Sequence, residues 1–291
     1  MVLISALYID CFLDSKKIQR GRIDLQNTWY RISKKSLFIF LAVALVLPMI
    51  QMLGLVQVVR QGGAVNTGLW DSPYTLWIGI DSFKFSSAAY YLILPIIAAM
   101  PVAGLLKADL RNGYFMQVKM RRSLRESTYG YYIWTFLLGG LIVTIPLVLN
   151  FTAYALTYPS VFPDNLLNQN LLVIHKNTLW VALYYHHPLL HTLLNIMITF
   201  VWSGLIALFA TGVTMIVNNR FLAISAGFIV QLFLLLLQGL NVFEYSLAPA
   251  DFLKQTGMHY VSVGAMTVTT VLVIIVTYVL LKKGVQRSFD L

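Results

Sequence analysis

Six long runs of apolar residues are free of Asp, Glu, Lys and Arg: Ser36–Leu55, Ala88–Leu106, Tyr131–Tyr154, Thr192–Ile216, Phe221–Leu240 and Tyr260–Leu281. Each matches the roughly 20 residues a helix needs to cross the hydrocarbon of a bilayer. The pattern predicts an all-α integral membrane protein with six transmembrane helices, spanning about 36–55, 88–106, 131–154, 192–216, 221–240 and 260–281. A cytoplasmic arm (1–35) precedes the six-helix domain (36–291). Residues 17–35 add a shorter pattern. At 100° per residue Ile18, Leu25, Trp29 and Ile32 fall on one stripe, and Lys17, Arg20, Arg31, Lys34 and Lys35 lie largely opposite. That is an amphipathic helix suited to the headgroup plane, an elbow before the first span.

Charge sets the orientation. Lys and Arg number 21, and all but Arg60, Lys84, Lys176 and Lys254 fall in the arm, the 107–130 loop, the gap at Arg220 or the tail. Positive charge collects on the cytoplasmic side, so both termini and residues 107–130 are expected there. The net charge of +10 is this bias rather than a nucleic-acid-binding surface, and nucleic acid is not expected as a partner. Charged residues make up 11% of the chain, too few for an ordinary soluble domain. The single cysteine, Cys11, excludes an intramolecular disulfide and a thiolate metal cage. Residues 1–13 are apolar, but Asp10 interrupts them and no basic segment leads them, so no cleavable signal peptide is expected.

Within the spans the polar residues are Asn150, Asn195, Gln231 and Gln238 among others. Each is costly in hydrocarbon unless bonded, so they are read either as interhelical hydrogen bonds or as a polar lining for an amphipathic cargo. Ser203, Ala207 and Thr211 repeat at four-residue spacing and permit close helix approach, within the bundle or across a dimer. Pro95 and Pro101 in the second span each remove a backbone donor, predicting a broken or re-aimed cytoplasmic end. His187 and His191, with His186 beside them and His175 more remote, have the spacing of a metal pair. No Glu or Cys accompanies them, so no metal is assigned and they are read as interface histidines. The aromatic residues Trp70, Tyr74, Trp77, Trp180, Tyr184 and Tyr185 near span ends read as an interface belt.

The loop at 107–130 is basic and too short for a core of its own, yet it carries Tyr114, Phe115, Val118 and Met120. Such residues suit a short helix laid into a groove on another protein; the alternative is a plain positive-inside loop. Asp109-x-x-x-Gly113, then Arg121-Arg122-Ser123, then Tyr129, resembles the cytoplasmic loop of ABC-2-type transporter permeases. The prolines Pro95 and Pro101 resemble that family's second helix. The run Gly139-Gly140 to Pro146 and Asn150 resembles Gram-positive permeases of the type. The resemblance implies an ABC ATPase subunit docked on this loop through Asp109, Arg111, Gly113, Tyr114, Phe115, Val118, Arg121 and Arg122. It also implies a second permease copy or a sister permease. The cargo it implies is a peptide, a drug-like amphiphile or a lipid-linked molecule leaving the cell membrane. No Gly-x4-Gly-Lys-Ser/Thr phosphate loop exists in the chain, so ATP hydrolysis is expected on a separate polypeptide and no cofactor on this one. Two other classes remain open: a multispan membrane enzyme acting on lipid, and a non-transporting scaffold or sensor.

Overall fold

The computed structural model describes residues 28–60, 71–81, 85–101, 103–112, 124–164, 173–174 and 176–289. The regular secondary structure of the described residues is helical, and they contain no strand. The long helices are α1 (Lys34–Arg60), α5 (Leu124–Thr157), α7 (Pro188–Ile216), α8 (Arg220–Gly239) and α10 (Val263–Phe289). Shorter ones are α2 (Pro73–Leu76), α3 (Phe85–Ala99), α4 (Leu105–Arg111), α6 (Val181–His186) and α9 (Pro249–Leu253). All five long helices are long and apolar enough to cross a membrane. Their outward faces carry large exposed apolar side chains such as Phe38, Leu236 and Val271. Contiguous apolar surface on this scale marks a membrane-embedded protein.

The second expected span is not one continuous helix. Helix α3 runs for 15 residues and stops at Ala99, two residues before Pro101; turns at 100–101 and 103–104 separate it from α4. Pro101 cannot donate to the carbonyl four residues back, so the helix ends where its ladder would fail. At 1.5 Å per residue α3 is ~22 Å long, short of the ~30 Å of hydrocarbon. Five helices, not six, therefore have a full span's length among the described residues. Yet α3 is central: ten of its residues are buried, and it packs against α1, α5, α7 and α8. Pro95 within it frees the carbonyl of Tyr91. Gln231 of α8 supplies the missing donor, its Nε2 bonding the Tyr91 carbonyl at 3.1 Å and that of Leu92 at 2.9 Å.

Helix α7 packs against α3, α5, α8 and α10. Its small residues Ser203, Ala207 and Thr211 are all buried within the chain, which settles where that stripe packs. Across the α5–α7 crossing two glycines each receive a ring. A Cβ on Gly140 would lie 2.7 Å from the Phe200 ring, and one on Gly204 would lie 2.6 Å from the Phe136 ring. The two phenylalanines meet edge to face at 5.8 Å between centroids.

The arm is described from residue 28, and residues 28–31 are helical. Its apolar face does not rest on headgroups alone. Ile32 is buried against Leu138, and the Trp29 and Trp134 rings lie 4.6 Å apart. Protein covers this part of the stripe because Trp134 and Leu138 of α5 offer an apolar wall there.

A Cβ at Gly139 would stand 2.4 Å from the Ala207 Cβ, whereas one at Gly54 meets nothing within 4 Å. Gly139→Ala is therefore expected to destabilise by about 1–3 kcal/mol through overpacking. Gly54→Ala should be neutral or stabilising, because it removes a helix-interior glycine. Thermal unfolding of both variants in detergent checks this, with a lowered midpoint for Gly139→Ala alone.

Candidate functional site

The ends of the bundle differ in character. One, the basic end, carries Lys34, Lys35, Lys107, Arg111, Arg220, Lys282 and Lys283. Here α4 is held by three ties. Asp109 is buried and accepts from the Arg31 Nε at 2.8 Å, from a second Arg31 nitrogen, and from the Tyr131 hydroxyl. A planar guanidinium matches a carboxylate with two parallel bonds, which fixes geometry as well as charge. Lys107 donates to the Val217 carbonyl in the α7–α8 turn. Thr214 of α7 donates to the carbonyl of Ala103, at the break between α3 and α4. The carboxylate expected on a docking surface is thus turned inward: Asp109 joins the arm, α4 and α5, while Arg111 and Asn112 are exposed. Gly113, Tyr114, Phe115, Val118, Arg121 and Arg122 lie outside the described residues.

The opposite end is closed by a cap of three connecting segments, containing α2, α6 and α9. Their backbones bond one another. Gln255 N–H donates to the Gly79 carbonyl, Gly257 N–H to that of Asn177, and Val261 N–H to that of Lys176. Side chains add Thr256 to the Ile80 carbonyl, Thr178 to the Gln255 carbonyl, and the Trp77 indole N–H to Gln255 Oε1 at 3.0 Å. The cap is fastened to the helices below it. Asn150 of α5 accepts from the Ile78 N–H and donates to Gln51 Oε1 of α1, and Gln51 donates to Asp81. Trp77, which composition alone would place in an interface belt, is wholly buried, as is Tyr184, whose hydroxyl donates to the Tyr74 carbonyl.

Titratable groups gather in this cap. Asp251 accepts from the Ser246 hydroxyl at 2.6 Å and lies 2.9 Å from His259 Nδ1. Lys254 is buried within electrostatic reach of Asp81 and Asp251. Burial pushes Lys254 below its ordinary value, and the two carboxylates oppose that shift. Of the histidines, His186 and His187 are exposed and His191 is buried. His191 Nε2 lies 2.8 Å from the Leu179 carbonyl and Nδ1 lies 3.0 Å from the Gln255 amide nitrogen. The first must donate and the second accept, so the ring is the neutral Nε2–H tautomer with both nitrogens engaged. Among the described residues no group of three or more His, Cys, Asp or Glu is placed to hold a metal.

The four uncharged polar residues expected along a pathway go to separate partners. Asn150 joins the cap, Asn195 Nδ2 donates to the Leu253 carbonyl, Gln231 serves Tyr91 and Leu92, and Gln238 donates to the Phe243 carbonyl. Gln51, Asp81, Lys254 and Gln255 are the cap residues that pattern reading passed over. Of these only Gln51 left a signal, as an amide inside an otherwise apolar span. No family model, no curated protein and no solved structure matches this chain.

Two consequences follow from these clusters. Removing Arg31 strands the buried Asp109 carboxylate, so Arg31→Ala is expected to cost about 3–5 kcal/mol, more than Asp109→Asn. Thermal midpoints in detergent rank the pair. For Lys254 the folded chain holds its proton less tightly than the unfolded chain does, so its contribution to stability grows as pH rises toward 10.5. The unfolding midpoint of Lys254→Met should rise less across the alkaline range than that of the parent chain.

Proposed function

We propose that this chain is the membrane-spanning permease subunit of an ATP-powered exporter, with both termini and the basic end in the cytoplasm. A separate ATPase subunit docks on residues 107–130. The observation that carries the proposal is α4. It is a short helix cut from the central α3 at Pro101, fixed to the arm and α5 through Asp109, and it leads straight into the basic loop with Arg111 exposed. A push on that loop is delivered to the middle of the bundle through a rigid joint. The resemblance of Asp109 to Gly113, Arg121-Arg122 and Tyr129 to ABC-2-type permeases supports the same assignment. So does the basic bias of this end. The chain carries no phosphate loop, so hydrolysis belongs to the partner. A second permease covers part of the exposed apolar faces, of which α10 is the barest.

Within this scheme the residues divide. Arg111, Tyr114, Phe115, Val118, Arg121 and Arg122 touch the ATPase, and Asp109 positions them. A second reading, an enzyme acting on lipid at the capped face, has one observation in its favour: Ser246, Asp251, His259 and Lys254 lie within one small region. Asp251 already binds Ser246 and His259 through a single oxygen, Oδ2, so neither is poised as an independent nucleophile or base.

The tagged chain, purified from membranes of its own cells, is expected to bring down a phosphate-loop polypeptide and to hydrolyse ATP. The chain produced alone should not hydrolyse ATP. Phe115→Asp with Val118→Asp should abolish capture at equal membrane levels, because unpaired charge would enter the docking groove. Arg111→Glu should weaken capture without lowering the thermal midpoint. Normal capture by the double variant would reduce the loop to a positive-inside anchor, and isolation of the chain without any ATPase would overturn the proposal.

A further inference from the structure

At the basic end, α4 and the α7–α8 turn reach across to each other with one cation each. Lys107 of α4 donates to the Val217 carbonyl in the turn. Arg220, the first residue of α8, returns the contact: its guanidinium lies on Gly104, the residue that precedes α4. A Cβ at Gly104 would stand 2.9 Å from Arg220 Nε, 3.2 Å from Cζ and 3.3 Å from a terminal nitrogen. The planar group therefore rests face-on against bare backbone, in space that any other residue would fill. Two positive side chains thus cross one gap, bounded by residues 104–107 and 217–220.

The charge around this gap is not balanced, because α4 divides its ions between two sides. Asp109, about 200° round the helix from Lys107, is held by Arg31 and Tyr131 on the side of the arm and α5. Arg111 is four residues from Lys107, on the same side, and is exposed. Like charges at that spacing destabilise a helix. Arg220 is exposed as well, and among the described residues no carboxylate pairs with it. The side of α4 that faces the turn is therefore cationic, with its own carboxylate turned away. An anion seated between Lys107 and Arg220 relieves the repulsion. A phosphate group has the right shape: the guanidinium fork matches two of its oxygens, and the ammonium meets another as a point charge. Helix α8 has 20 residues and is ~30 Å long, the thickness of the hydrocarbon, so its first residue lies at the depth of lipid phosphates.

We propose that Lys107 and Arg220 form a binding site for a phosphate group, with Gly104 as the floor on which the guanidinium is held. The headgroup of an anionic phospholipid and free phosphate share this chemistry. Arg111, one turn further along α4, adds to the field without being needed for the grip. The site does not rest on the ATP-powered scheme, since binding requires neither ATP nor a partner.

The test is native mass spectrometry of the full chain in detergent, with phosphatidylglycerol and phosphatidylcholine of identical acyl chains as probes. Phosphatidylglycerol is expected to be retained about fivefold better, the factor for one basic residue at a charged lipid surface. Arg220→Gln should abolish that preference. Gly104→Ala should lower it too, because its Cβ displaces only the flexible end of Arg220. Neither variant should shift the thermal midpoint. Lys34→Gln with Lys35→Gln, at the same end but outside the gap, should leave the preference intact. Displacement of the lipid by millimolar inorganic phosphate, lost in Arg220→Gln, would support the site with free phosphate as its ligand; failure of phosphate to displace it would support the site with the lipid. An unchanged preference in Arg220→Gln, or an equal loss in the Lys34 and Lys35 double variant, would mean a diffuse positive field only and overturn the proposal. A co-purified polypeptide that excludes phosphatidylglycerol and is itself lost in Arg220→Gln would give the gap to an acidic protein surface and also overturn it.

Discussion

At the centre of the bundle stands a helix too short for its setting. With 15 residues, α3 reaches about three quarters of the way across a hydrocarbon layer, and non-helical chain follows it inside the fold. In such surroundings every backbone N–H and C=O must find a partner within the protein. Much of the structure answers that constraint. Gln231 repairs the carbonyl freed by Pro95, and Thr214 takes that of Ala103 beyond the helix's end. On the other side Ser87 and Asn150 bind the backbone of Ile78 just before α3 begins. The cap and the α4 joint are the two seals of one short helix.

The seals differ in chemistry, and the difference bears on function. The basic end uses a charged clamp, Arg31 on Asp109, with the arginine partly exposed and the carboxylate buried. A buried ion pair is weak as a source of stability but strict in geometry, since either member left alone is costly. It locks the arm, α4 and α5 into one unit from which a loop projects. The capped end uses mostly neutral amides, hydroxyls and backbone, with its charges grouped at Asp81, Asp251 and Lys254. One end is held as a rigid unit by an ion pair, and the other is closed by folded connecting segments.

The parts of this architecture that arise from local pattern were legible in the sequence. Apolar runs marked the long helices, the Pro95 and Pro101 pair marked a break, and the spacing of Ser203, Ala207 and Thr211 marked a close crossing. Trp29 and Ile32 share one cluster with Trp134 and Leu138, partners about a hundred residues away that local pattern does not reveal. The same limit hid the cap. Trp77 binds Gln255, and Gly79 binds the amide of the same residue, across some 180 positions of chain. No periodicity encodes such pairs. Asp109 shows the limit most sharply. In sequence it is an acid in a basic loop, and its burial depends on Arg31, 78 residues earlier.

The central claim, that folded connecting segments seal a short central helix, is open to one direct measurement. Hydrogen–deuterium exchange on the chain in nanodiscs reads the amides of Gln255, Gly257 and Val261, which donate to the carbonyls of Gly79, Asn177 and Lys176. The account predicts protection of these amides comparable to that of α3 and α7, with fast exchange at exposed Phe243 and Glu244. If Gln255, Gly257 and Val261 exchange as fast as Phe243 and Glu244, the cap is an ordinary loop cluster, and the ends of α3 are not sealed as described.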